Sequence, residues 1–72
     1  MLLTECKRGN TGRISGFFGN RQRADYFAAR GIVPGIPFVI LQTYRSQMVV
    51  RFGSVVFGLS ARTAMQIRVA GV

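Results

Sequence analysis

Apolar residues recur along this chain at two different spacings, and the changes between them mark out its elements. "TGRISGFF" (residues 11–18) alternates like a strand. Gly12 and Gly16 interrupt it, and a glycine inside a strand marks a bulge or a close backbone approach. "NRQRADYFAARG" (20–31) then reads as a helix, with Ala24, Phe27 and Ala28 as a narrow apolar stripe. Asn20 is placed to cap its start, Gly31 to close it in the left-handed conformation, and Arg30 to meet the negative end of the helix dipole. Pro34-Gly35 follows at the centre of a type II turn, where Pro presets φ and Gly supplies a positive one.

Strand spacing returns at Pro37, a residue tolerated where a strand begins. Phe38, Ile40 and Tyr44 are expected on one face, Val39 and Leu41 on the other. "QMVVRF" sets Met48, Val50 and Phe52 against Val49 and Arg51. Gly53-Ser54 turns the chain into "VVFGL", where Val55, Phe57 and Leu59 alternate with Val56 and Gly58. Ser60 is placed to cap the short helical turn "ARTAM". "QIRVA" ends the pattern with Ile67 and Val69 inward and Arg68 outward.

Evenly spaced short strands in 72 residues predict one mainly β domain over residues 1–72. The expected fold is a small SH3-like β-barrel of about five strands, with one α-helix after the first strand and a short helical turn before the last. Its interior is expected to hold Phe38, Ile40, Met48, Val50, Val55, Phe57, Leu59, Ile67 and Val69. Val39, Leu41, Val49 and Val56 are left outside. Either a partner meets them, or the helix folds back over them as a second small core.

Charge narrows the choice of partner. Ten basic residues, nine of them Arg and the other Lys7, stand against Glu5 and Asp25, a net charge of +8. Such an excess suits an acidic protein face, a nucleic acid or an anionic membrane surface, unless it serves only to keep an apolar chain in solution. The basic residues are scattered, which argues against a disordered basic tail.

Catalytic chemistry is scarce. The chain has no His, and its two carboxylates lie on segments with no evident reason to converge. Cys6 has Lys7 and Arg8 beside it, which could lower its thiol pKa, but there is no imidazole base. With so few ligands a metal site within one subunit is not expected, and no GxGxxG or GxxxxGK pattern occurs. The reading is a binding module, not an enzyme, with no cofactor. "MLLTECKRG" does not read as a signal peptide, and the apolar run Ile32 to Leu41 is too short to span a bilayer. A cytoplasmic location is expected, and a lone cysteine leaves no internal disulfide.

Three pieces in order resemble the FeoA family of bacterial ferrous-iron transport. They are Gly12-Arg13-Ile14 in the first strand, "RGIVPG" at the helix end, and "LSARTAMQIRV", whose Leu59, Ser60, Ala64, Ile67 and Val69 fit the family's closing pattern. The chain departs from the family in having Arg30 and Phe27 where Leu is usual. The resemblance implies a small cytoplasmic SH3-like domain. Its members assist or regulate FeoB, a membrane ferrous-iron transporter with a cytosolic GTP-binding domain, and are not known as enzymes. The outer residues Val39, Leu41, Val49 and Val56, flanked by Arg13, Arg51 and Arg68, then become the candidate contact for FeoB or for a second copy of the chain. The alternative is a small basic barrel that binds nucleic acid, stacking bases on Phe17, Phe18, Tyr26 and Tyr44. A third is attachment to anionic lipid by charge alone.

Overall fold

The computed structural model describes residues 1–19 and 21–72. Its strands are β1 (Thr11–Phe17), β2 (Pro37–Thr43), β3 (Gln47–Phe52), β4 (Val55–Ser60) and β5 (Ile67–Ala70). Helix α1 (Arg21–Ala28) follows β1, and the four-residue α2 (Ala61–Ala64) links β4 to β5. A 3₁₀ turn, Leu3–Glu5, precedes the first strand. The strands form one antiparallel sheet in the order β4-β3-β2-β1-β5. This is the expected mainly β, SH3-like arrangement, although β4 and β5 do not hydrogen-bond to each other.

The gap between those edges is filled by side chains. α2 packs on β3, β4 and the N-terminal turn, and that turn packs on β5. Leu3, Cys6 and Ala64 are thereby buried alongside Ile14, Phe38, Ile40, Met48, Val50, Phe52, Leu59, Ile67 and Val69. No polar or charged residue is buried among the described residues. Each large side chain so removed from water contributes about 1.5–3 kcal/mol.

The local signals hold where they rest on backbone geometry. Gly31 has φ of 80° and ends α1 in a Schellman motif: its N–H donates to the Ala28 carbonyl, and that of Ile32 to the Phe27 carbonyl. Phe27 and Ile32 are both buried, the apolar contact that goes with this motif. Arg30 donates from Nη1 to the Tyr26 carbonyl at 3.0 Å, near the negative end of the helix. The expected cap at Asn20 lies outside the described residues. Val33 accepts from Ile36 N–H at 3.2 Å across Pro34-Gly35, with Gly35 at φ of 95°, as a type II turn requires. The Ser60 hydroxyl caps α2 by accepting from Thr63 N–H at 3.2 Å.

Both glycines of β1 have a reason. The register with β5 slips between Ile14 and Gly16, so Ser15 forms a bulge that bends the strand. At Gly12 a Cβ would lie 2.6 Å from the Ala70 carbonyl oxygen and 3.0 Å from the Phe38 ring.

Five expectations need correction. A second register slip between Ile40 and Gln42 makes Leu41 an extra residue in β2 and inverts the alternation beyond it. Thr43, not Tyr44, therefore keeps phase with Phe38 and Ile40, and Tyr44 is 57% exposed. Val55 has the inward parity but is 45% exposed, because it starts β4 at the hairpin, away from the end that α2 covers. Phe57 is half-buried, edge-on to Phe52. Ala28 is exposed, which leaves Phe27 as the one buried side chain of α1. The helix also does not roof the outer sheet. Phe27 stacks on Phe17 of β1 at 5.2 Å between ring centroids, and α1 has no extended contact with β2, β3 or β4.

Two glycine substitutions test this account. Gly12→Ala is expected to destabilise by about 1–3 kcal/mol, the usual cost of overpacking. At Gly58 a Cβ meets nothing within 4 Å. Gly58→Ala is therefore expected to be neutral or to stabilise by about 0.5 kcal/mol through the unfolded chain. Urea unfolding of the two variants beside the parent reads both values.

Candidate protein-binding surface

The outer side of β2, β3 and β4 gathers most of the residues singled out in the sequence. Cross-strand pairing places Thr11, Val39, Arg51 and Val56 in one row. Val49 lies in the next row, between Gln42 and Gly58, and the bulged Leu41 emerges beside it. Val39, Leu41 and Val49 are half-buried, whereas Val56 is 54% exposed. Side chains directly opposite in an antiparallel pair are near enough to act together, so the row presents one continuous strip.

The three arginines expected at its rim fall into different positions. Arg51 stands inside the row, and no hydrogen bond, ion pair or ring contact holds its guanidinium among the described residues. Arg13 is on the neighbouring strand opposite Pro37, with Nη1 donating to the Gly35 carbonyl at 2.8 Å. Arg68 belongs elsewhere on the molecule. It pairs with Gly16 toward the other end of β1 and lies 4.7 Å over the Phe18 ring. Beside Arg13, an open groove of about 490 Å³ is lined by Gly12, Pro37, Phe38, Val39 and Ala70. The missing side chain at Gly12 leaves room for the edge of the buried Phe38 ring.

The aromatic residues offered as stacking platforms are mostly engaged. Phe17 stacks on Phe27, Arg68 covers Phe18, and the Arg30 guanidinium lies 3.6 Å over the Tyr26 ring. Of these four rings, that of Tyr44 alone has no such contact among the described residues.

Cys6 is buried, with Sγ 3.9 Å from the Met1 Sδ. Burial, and then the carboxylate of Glu5, push its thiol pKa up, against the depression expected from Lys7 and Arg8. The arrangement favours a protonated thiol, which is a poor nucleophile and a poor metal ligand. Among the described residues no three His, Cys, Asp or Glu side chains come together, and no helix is long and apolar enough to cross a membrane. No sequence signal marks the N-terminal turn Leu3–Glu5 that leads into Cys6; three residues are too few to display a period.

Comparison with known proteins places this geometry. The model of the FeoA domain family matches residues 1–71. An iron uptake regulatory protein (FeoA) is similar over 96% of this chain and 93% of its own, at a TM-score of 0.86 and 20% identity. Stenotrophomonas maltophilia FeoA, solved with zinc and described as an SH3 domain protein and candidate ferrous iron transport activating factor, has a TM-score of 0.82 at 18% identity. That match covers 97% of this chain and 89% of the other. A manganese-dependent transcriptional repressor contains the same fold, at a TM-score of 0.86 and 24% identity, but this chain spans only 41% of it. No curated protein sequence matches the chain.

The Cys6 environment generates a pH-dependence. A thiol whose pKa is raised by folding stays protonated in the native state while the unfolded chain ionises, so stability falls as pH rises past the ordinary cysteine value of 9.0. Melting temperature above that pH is expected to fall more steeply for the parent than for Cys6→Ala. At pH 8 a thiol reagent such as DTNB should label Cys6 only once urea unfolds the chain. Immediate labelling of the native protein contradicts the burial account.

Proposed function

This chain belongs to the FeoA domain family, and from that premise we propose that it is a non-enzymatic accessory protein of ferrous-iron uptake, acting on the cytosolic side of a FeoB-type GTPase transporter. The observation that carries the reading is the family match across residues 1–71. The repressor that shares the fold is a longer chain, so fold by itself does not decide the role.

The strip of Val39, Leu41, Val49 and Val56 is the contact that best fits this role, with Arg51 inside it and Arg13 at its margin. An apolar centre supplies affinity, and the charged groups supply orientation and rate of encounter. Arg68, seated over Phe18, lies apart from it. Docking alters transport only as far as the chain binds one conformation of the transporter more tightly than another. The charge of +8 also suits nucleic acid. Yet rings already covered by the chain's own arginines make poor stacking platforms, and the protein-contact reading is preferred.

Capture of the purified protein by membranes with and without the transporter, at physiological salt, tests the proposal. Selective capture by transporter-containing membranes is expected. Val56→Asp and Leu41→Asp should weaken it by about tenfold or more, as loss of a central contact does. Val56 is exposed, so its variant should melt like the parent; unfolding of the Leu41 variant alone would assign that residue to the core. Equal capture by both membranes, abolished by salt, would mean that charge alone does the binding.

A further inference from the structure

The two edges of the sheet are treated differently. β5 is covered by the start of the chain: Leu2 bridges to Arg68, and Val69 N–H donates to the Met1 carbonyl at 2.9 Å. Among the described residues nothing equivalent lies along β4. Phe52 and Val55 flank the two-residue turn Gly53-Ser54, so the Val55 N–H faces β3. Alternation then turns the N–H and C=O groups of Val56 and Gly58 away from β3, toward the open side. Among the described residues no hydrogen bond from another element reaches either residue. Both are exposed, and the space above Gly58 is empty for 4 Å around an added Cβ.

The usual defences of a free edge are also missing. "VVFGLS" has no charge and no proline, and its register with β3 runs through six pairs without a bulge. An unprotected strand of this kind is a template for one more strand.

We propose that the outer edge of β4 is a docking site for an extended acidic segment of a partner protein, which adds to the sheet as a sixth strand. Charge selects this occupant. Arg51 pairs with Val56, and Arg45 and Arg62 are exposed near the other end of β4, where the Ser46 carbonyl accepts from Ala61 N–H. The two acids, Glu5 and Asp25, lie on the N-terminal turn and on α1. A second copy would set +8 against +8, whereas an acidic strand neutralises the arginines as it pairs. Main-chain hydrogen bonds to Val56 and Gly58 supply affinity, and the notch at Gly58, opposite Val49, receives one side chain. The inference does not depend on which protein provides the strand.

Amide hydrogen exchange followed by NMR tests it, with a synthetic decapeptide alternating Glu with Val and Thr as probe. Val56 and Gly58 should exchange freely in the protein alone and slow by about tenfold or more when the peptide saturates. A peptide of equal charge interrupted by prolines should give no protection. Val56→Pro removes one docking N–H without removing a β3–β4 hydrogen bond, and should weaken the peptide by about tenfold. If that variant does not fold, exchange in the unaltered chain still decides. Binding without protection at Val56 and Gly58, or no binding at millimolar peptide, overturns the proposal. So does a free protein that sediments as a dimer with both amides already protected.

Discussion

A sheet of five strands, each four to seven residues long, leaves β4 and β5 without a hydrogen bond between them, and this open seam governs the rest of the structure. An open sheet of this size must hide its inner face by means other than closure. Here the means are α2 and the N-terminal turn, which bring Leu3, Cys6 and Ala64 into the gap. Residues 1 and 2 then pair along β5, so one short segment both fills the seam and seals an edge. The same segment buries Cys6, and burial together with the carboxylate of Glu5 raises its thiol pKa despite a sequence neighbourhood rich in cations.

Curvature is the second requirement, and bulges provide it. Ser15 and Leu41 are extra residues in β1 and β2, and Gly12 allows β1 to approach Ala70 and the Phe38 ring. A bulge bends a strand and also exchanges its faces. Leu41 thus stands beside Val49 on the outer side, with Tyr44 turned outward after it. Bending of this kind lets a five-stranded sheet enclose the fourteen buried apolar side chains among the described residues.

Most of the fold was legible in the sequence because its signals are local. Gly31, Pro34-Gly35, Gly53-Ser54 and Ser60 each impose a backbone conformation that no distant contact needs to confirm. Strand parity was legible only up to the first bulge in β2, since a one-residue slip leaves no mark in composition, and Tyr44 was misplaced for that reason. Val55 was misplaced because parity gives direction and not cover. Leu3 lay beyond local reasoning altogether, as its burial comes from α2 and β5, far along the chain. The row joining Val39, Arg51 and Val56 followed from alternation, but the separation of Arg68 from it depends on strand order, which alternation does not contain.

Charge completes the asymmetry between the two sides of the molecule. With no cation in the core, every arginine must find a place at the surface, and several settle on apolar or carbonyl groups there. Arg30 covers Tyr26, Arg68 covers Phe18, and Arg13 ties down Gly35. A guanidinium over a ring both hides the ring face and satisfies part of its own charge, so those surfaces are partly spent before any partner arrives. Arg51 differs: it stands among Val39, Val49 and Val56 with no such contact among the described residues. The apolar surface next to it is neither roofed by the helix nor covered by an arginine, and it adjoins the edge of β4, which no other described strand pairs. The apolar strip of β2, β3 and β4, the guanidinium of Arg51 and the outward backbone groups of β4 are all matched by the partner proposed above, one that is extended, acidic and partly apolar.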